Sequence, residues 1–436
     1  MQGPMSTQAV AVERPPIAAQ ERRPALAGAW IVSGAMLVSG TLIYAFNVLA
    51  ARVLGGDGYG QIAVLWAAMF LVVIVMFRPL EQTASRAIAE RLARGEEAGS
   101  VLRSVSIVGS AFLLLLLATV TPVWGVLADR LFQGNNTLLV LLLVGVACYG
   151  IAYVTRGAIT GARWFGGYGL ALIADGVARL AIAAPLVIVA SRNVAAAAVT
   201  IAGLAGALVP LWVGRRRLRA LLTGRGGAPF PMRATVAFAG PASLIAAADQ
   251  LLVNCSPLLV TLEGGAAKTA GLVFAATMLV RVPVFVFQGL ASSILPNLTR
   301  LHVVEDPARF RRAVLQTAGF LLVAGGLIVA FAGAVGPEAM ELLFGPSFAT
   351  GRLELVLLGT GVACYLAATT FSQALLALDR GRLAASAWVG SAALFIGLYF
   401  TLAGDELARV SMAFAVATLA DLVLLAAFLL RSKVSA

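Results

Sequence analysis

Charge is scarce in this sequence. Only 12% of its 436 residues are Asp, Glu, Lys or Arg, where soluble globular domains carry about 25%. Hydrophobic residues make up 60% and the mean hydropathy is +0.94, so a water-soluble fold is excluded. Histidine is all but missing: the single one, His302, stands in a polar stretch between two apolar segments and reads as solvated. No cluster of His, Cys, Asp or Glu has metal-ligand spacing, and no glycine-rich loop leads into a lysine. No catalytic or metal-binding residue is therefore nominated. The three cysteines, Cys148, Cys255 and Cys364, fall inside apolar runs, where a thiol acts as a small apolar side chain and no disulfide framework is implied.

Long apolar runs are what the chain has instead. A helix needs about 20 apolar residues to cross ~30 Å of hydrocarbon with every backbone group bonded internally. Eight windows of that length carry no charge: 25–51, 58–77, 104–128, 131–155, 193–214, 313–337, 355–378 and 383–404. Four more hold isolated charges: 164–191 with Asp175 and Arg179, 234–262 with Asp249, 269–299 with Arg281, and 410–430 with Asp421. The expectation is an all-α polytopic membrane protein of about 12 spans. Residues 1–24 are polar and of mixed charge, so the first span reads as an uncleaved anchor.

Positive charge orients the spans, because Lys and Arg collect in cytoplasmic loops. With the N-terminus inside, 24 of the 32 Lys and Arg lie on the cytoplasmic side. Outer loops hold six (Arg52, Arg130, Arg192, Lys268, Arg352, Arg409) and two lie within spans. Both termini are expected in the cytoplasm. The net charge of +12 follows from facing the inner leaflet, so membrane lipids are expected partners and nucleic acid is not. Outer loops are short, the longest being about 335–352, which leaves no room for an extracytoplasmic domain.

The chain also repeats itself. Gly-Val-Ala-Cys-Tyr occurs at 145–149 and 361–365, each in the fourth span of a six-span set, an offset of 216 residues. Residues 59–70 align with 270–281, the second span of each set, at an offset of 211. Six is even, so the second set re-enters with the orientation of the first, and the two lobes are related by a pseudo-twofold axis along the membrane normal. The expected organisation is a tail at 1–24, a six-helix lobe at 25–214 and an Arg-rich, Gly/Pro-containing linker and hinge at 215–233. A second six-helix lobe at 234–430 and a tail at 431–436 complete it.

Charges inside spans cost from ~3 to more than 10 kcal/mol at mid-bilayer, so they face an interior or a wet cavity. Asp175 and Arg179, four residues apart, share a helix face and are able to neutralise one another. Arg281 has no partner in its own span, and Pro283 loosens the backbone beside it. Asp249 is the nearest candidate: a direct pair makes a structural link or gate, whereas a ligand phosphate displacing Asp249 makes a binding site. Asp421 is a proton site or part of a packed interface. Asp249, Asp421, Asp175 and Arg179 are thus candidates for ion coupling or gating. Asn47, Gln250, Asn254, Gln288 and Gln373 lie in or at the ends of spans, where they bond sugars or bind helices together. Near the inner end of the second span, Arg78-Pro79-Leu80-Glu81-Gln82 interrupts the apolar pattern, a break that suits capture of a head group. Gly55-Gly56-Asp57-Gly58 reads as a tight outer turn.

Ala51-Arg52-Val53-Leu54-Gly55 followed by Tyr59-Gly60 resembles the Ala-Arg-x-Leu-Gly-x-x-x-Tyr-Gly segment after the first span of bacterial polysaccharide flippases. These belong to the multidrug/oligosaccharidyl-lipid/polysaccharide (MOP) exporter superfamily. Arg281-Val282-Pro283, Phe287-Gln288 and Leu295-Pro296 resemble the eighth span of actinobacterial members. The resemblance implies two six-helix lobes around a cationic cavity in the bacterial plasma membrane. It further implies outward movement of an undecaprenyl-pyrophosphate-linked oligosaccharide, with Arg281 and Arg78 engaging the pyrophosphate and polysaccharide-synthesis enzymes as companions. No cofactor is implied beyond a coupled H+ or Na+. Relatives with fourteen spans carry more cavity cations than this chain does.

Two rival readings are separable. A major-facilitator transporter also has six plus six spans, but its Gly-x-x-x-Asp-Arg-x-Gly loop is missing from 78–103. A drug-extruding member of the same superfamily shares every feature above. A membrane-embedded polymerase would need a sizeable outer loop, and the largest here offers only Glu338, Glu341 and Arg352 as charged groups.

Overall fold

The computed structural model describes residues 17–223, 230, 240–281 and 307–431. Its first helix, α1 (Ile17–Ala93), has 77 residues and would be about 115 Å long if straight, several times the hydrocarbon thickness. Gly55 breaks it, with φ 66° and ψ −174°, a conformation that only glycine adopts readily. α1 is therefore two limbs, the first two spans, joined at the turn that Gly55–Gly58 suggested. The third span is α2 (Gly99–Val120) with α3 (Trp124–Phe132). The next three are α4 (Asn136–Gly161), α5 (Phe165–Ala183) and α6 (Arg192–Val213). After the linker helix α7 (Arg215–Thr223) come α8 (Gly240–Asn254), α9 (Ser256–Glu263) and α10 (267–281). The chain ends in α11 (Pro307–Phe344), α12 (Arg352–Ala377), α13 (Gly381–Thr401) and α14 (Glu406–Arg431).

Among the described residues there is no strand, and nine helices are long and apolar enough to cross a membrane, α1 counting once. The described parts of all twelve windows are mainly helical, the seventh being described only from Gly240 and the eighth only as far as Arg281. The protein is an all-α, multi-pass membrane protein. In the first half, α4 packs on α1 and α6, and α5 on the same two helices. In the second, α12 lies against α11 and α14, and α13 against α14 and α8. Contacts across the halves run from α1 to α8, α9 and α11, and from α3 to α9.

Lipid supplies no hydrophobic drive between helices, so close backbone approach through small residues does the work. Gly157 and Gly161, one turn apart on α4, accept the second limb of α1. A Cβ at Gly157 would stand 2.8 Å from the Glu81 carbonyl oxygen, and one at Gly161 2.7 Å from Ile88 Cβ.

Two expectations change. The window 234–262 is not one straight span: α8 and α9 meet at Cys255 with a bend of 65°. Pro257 is the cause, since it lacks an N–H for the carbonyl four residues back, that of Val253, and its ring crowds that carbonyl. The linker, expected as a hinge, begins as helix: Leu218 and Leu221 of α7 are buried, and α7 packs on α2 and α6. Its Gly/Pro-rich stretch, 224–229, lies outside the described residues.

Candidate functional site

The break at Pro257 positions the site. The Val253 carbonyl that Pro257 releases accepts a hydrogen bond from Arg281 Nη1 at 3.1 Å, and the same nitrogen donates to Asn254 Oδ1 at 3.3 Å. Asn254 Nδ2 donates to Gln250 Oε1 at 2.5 Å, and Gln250 Nε2 to Asp249 Oδ2 at 2.8 Å. The other Asp249 oxygen accepts the Tyr365 hydroxyl at 2.6 Å. Arg281 and Asp249 thus interact electrostatically without a direct bond, linked by a chain of amides. Gln250 and Asn254 are buried within that chain, whereas Asp249, Arg281 and Tyr365 stay half-exposed.

Arg78 faces this network from the other half. Its side chain is exposed to solvent. It interacts electrostatically with Tyr153, Asp249, Glu81 and Tyr168, and with Tyr365. One arginine from each half therefore interacts electrostatically with Asp249.

A second network is sealed. Arg179 is wholly buried and donates to the Tyr149 hydroxyl at 2.6 Å and to Asp175 Oδ1 at 3.2 Å, while its guanidinium stacks on the Trp66 ring at 4.9 Å. Tyr149 donates to Asp175 Oδ1 at 2.9 Å. Arg156 completes it, with Nη2 3.9 Å from Asp175 Oδ2 and its guanidinium 5.2 Å from the Tyr153 ring. The pairing of Asp175 with Arg179 is present, but Arg156, one of the 24 cations counted above on the cytoplasmic side, was missed as its partner. Both tyrosines of the repeated pentapeptide, Tyr149 and Tyr365, donate to a carboxylate.

The remaining candidates sit apart. Asn47 is fully buried rather than cavity-lining: its amide donates to the Ile43 carbonyl at 2.9 Å, and its oxygen accepts from Tyr59 at 3.0 Å. Gln373 is half-buried on α12, and Gln288 lies outside the described residues, as do the motif residues 282–296. Asp421 on α14 is 1% exposed and interacts with the Ser391 hydroxyl of α13, though neither carboxylate oxygen has a hydrogen bond of good geometry. The hydroxyls of Ser391 and of Thr370 on α12 likewise lack one.

The segment 51–60 joins the two halves. Arg52 donates to the Leu342 and Leu343 carbonyls, capping the C-terminus of α11 where the helix leaves its acceptors free and partly negative. The Tyr59 ring meets Phe348 at 5.6 Å and Phe274 at 6.0 Å, and Tyr44 meets Phe344 at 6.0 Å. Gly60 abuts the start of α10 so closely that a Cβ there would come within 1.8 Å of the Ala267 oxygen. Arg52, Tyr59 and Gly60 of the Ala-Arg-x-Leu-Gly-x-x-x-Tyr-Gly segment are thus all contacts between the halves.

No family model matches the sequence. An uncharacterized protein of Mycobacterium tuberculosis (strain H37Rv) is 26% identical over 379 residues, 84% of this chain and 85% of that protein. A second from the same strain is 28% identical over 351 residues, 79% of this chain and 78% of the relative. Among solved structures, the inward-facing conformation of a multidrug resistance MATE family transporter of the MOP superfamily superposes with a TM-score of 0.71. The identity is 13%, covering 92% of this chain and all of that one. An outward-facing MATE family transporter gives 0.67 at 15% identity over 94% of this chain and 96% of its own. A Vibrio cholerae MATE transporter gives 0.68 at 15% identity over 93% and 97%. The fold of this chain is the fold of MATE transporters of the MOP superfamily.

Proposed function

We propose that the chain is a flippase that moves a polyprenyl-pyrophosphate-linked oligosaccharide or polysaccharide precursor outward across the plasma membrane by alternating access. The observation that carries this reading is that Arg78 from one half and Arg281 from the other both interact electrostatically with Asp249, Arg78 being exposed and Arg281 partly exposed. Guanidinium groups match phosphate oxygens in a planar, bidentate way. A pyrophosphate entering between the two arginines replaces Asp249 as their counter-charge, and the polyprenyl tail remains in lipid. Moving two negative charges outward, with the driving force of an inside-negative potential, gains ~2.3 kcal/mol per charge per 100 mV. Nothing in this arrangement calls for bond-making chemistry, so the protein is read as a transporter and not an enzyme.

Arg281→Ala is expected to abolish translocation of the lipid-linked saccharide in a deletion strain while the protein stays inserted at normal levels. Full complementation by that variant would remove Arg281 from the mechanism. A second reading, extrusion of a cationic drug, is favoured by half-exposed Asp249 and by the drug-exporting names of the structural relatives. It predicts instead that Asp249→Asn raises drug susceptibility and that Arg281→Ala does not.

Buried beside the Ser391 hydroxyl with no cation paired to it among the described residues, the Asp421 carboxylate is costly when ionised. We read it, with Asp249, as the point where H+ or Na+ couples to transport. The topology we propose has both termini and the linker in the cytoplasm. A cysteine introduced in 215–233 is then expected to resist an impermeant maleimide added to intact cells, and labelling from outside would overturn the orientation.

A further inference from the structure

The linker helix α7 reads Arg-Arg-Arg-Leu-Arg-Ala-Leu-Leu-Thr, and no acidic residue occurs anywhere between 176 and 248 to balance it. Leu218 and Leu221 are buried against the first half, while Arg215, Arg216, Arg217 and Arg219 are exposed. We infer that this basic face is a docking surface for the anionic phospholipid headgroups of the cytoplasmic leaflet.

Position argues for lipid over a soluble partner. α7 packs on α2, and only 6% of the most apolar window of the Gly99–Phe132 span is buried, so that span faces hydrocarbon and α7 lies at the protein's lipid boundary. Two tryptophans set its depth. Trp212, 69% exposed at the end of α6, carries the Arg215 guanidinium 5.5 Å from its ring, and Trp164 carries that of Arg217 at 6.0 Å. Tryptophan concentrates at the headgroup layer, where one edge is wet and the body apolar. Arginines stacked on such rings are held in the plane of the lipid phosphates, which guanidinium binds bidentately. The far end of the linker is tied to the same half: the Phe230 carbonyl accepts from Ser104 Oγ at 3.3 Å, and the Arg91 guanidinium lies 5.8 Å from its ring. Headgroup binding would therefore fix one half in the leaflet while the other moves against it.

The inference rests on the cytoplasmic placement of the linker and not on the substrate. The test titrates the purified full-length protein with phosphatidylglycerol or phosphatidylcholine and counts retained lipid by native mass spectrometry. Phosphatidylglycerol should bind preferentially, and R215Q/R216Q/R217Q should weaken it at least tenfold, since each cation at an anionic surface contributes ~1 kcal/mol, a factor of about five. R215K/R216K/R217K should retain most of the binding, and Arg380→Gln with Arg382→Gln, in another cytoplasmic loop, should change nothing. Should the triple Gln variant fail to fold, Arg216→Gln alone is expected to weaken binding severalfold. Equal retention by the Gln variants, equal binding of phosphatidylcholine, or displacement of phosphatidylglycerol by an oligonucleotide or acidic peptide at matched charge would each overturn the assignment.

Discussion

Gly60→Val is expected to prop the two halves apart at the end joined by 51–60, exposing their interface to outside reagents and stopping transport. The Ala267 oxygen 1.8 Å and carbonyl carbon 2.4 Å from a Cβ at Gly60 are backbone atoms, which no rotamer change moves aside. Gly271, on the same helix as Ala267, returns the contact: its Cβ would stand 2.9 Å from the Gly56 oxygen and 3.0 Å from the Gly60 nitrogen and Cα. Even overpacking relieved by side-chain shifts costs ~1–3 kcal/mol, and charged to the closed form alone it changes the closed-to-open ratio by about 5- to 150-fold. The reporter is Ala267→Cys, at a position now 8% exposed. It should resist an impermeant maleimide in the parent and react in the Gly60→Val background. Gly34→Val, where nothing lies within 4 Å of the added Cβ, is the control for folding and should behave as the parent. An unreactive Ala267→Cys in correctly inserted Gly60→Val protein would show that this end does not open during transport.

That contact also shows how much the sequence discloses. Gly60 and Gly271 are partners in the 211-residue alignment of 59–70 with 270–281, and a twofold axis brings equivalent positions together only where it passes between them. The duplication was legible, but not that its axis runs through two glycines, because a missing side chain leaves no mark in a hydropathy pattern. Charges are the opposite case. Arg281 and Asp249 stand out because an ion in an apolar window is expensive, and the structure joins them through Asn254 and Gln250 with Arg78 in electrostatic reach of Asp249. Arg156 was hidden by its place at the end of a window, where an arginine reads as snorkelling into a loop. It is instead turned inward, 7% exposed, beside Asp175. Asn47 misled for a related reason: polarity within a span marks a need for a partner, and Tyr59, twelve residues on across the Gly55 turn, meets that need internally. The bend at Cys255 did have a signal, Pro257 within an otherwise continuous window, and its consequence for Arg281 appears only when α10 is placed beside the freed carbonyl.

Whether Asp175 and Arg179 form a structural pair or a gate is decided by an ordering of stabilities. Asp175→Ala is expected to destabilise the protein more than Arg179→Met, although each removes one partner of the same pair. Asp175 balances two guanidiniums, Arg179 at 3.2 Å and Arg156 at 3.9 Å, which are 0% and 7% exposed. Its loss leaves Arg179 with no carboxylate and Arg156 with Glu81 alone, and an uncompensated buried charge costs ~3–5 kcal/mol. Removal of Arg179 leaves Asp175 still facing Arg156 and still accepting the Tyr149 hydroxyl at 2.9 Å, so what is lost is the stack on Trp66 and one hydrogen-bonded charge. Methionine refills most of that volume. The double variant Asp175→Ala/Arg179→Met should recover part of the Asp175→Ala loss, because the uncompensated Arg179 guanidinium is gone and Arg156 keeps its electrostatic interaction with Glu81. Thermal unfolding of the purified variants in detergent gives the ordering. A structural pair predicts that translocation per folded molecule survives in Arg179→Met and in the double variant. Translocation abolished in Arg179→Met at near-parental stability would instead make the pair a gate, broken and remade as the two halves move.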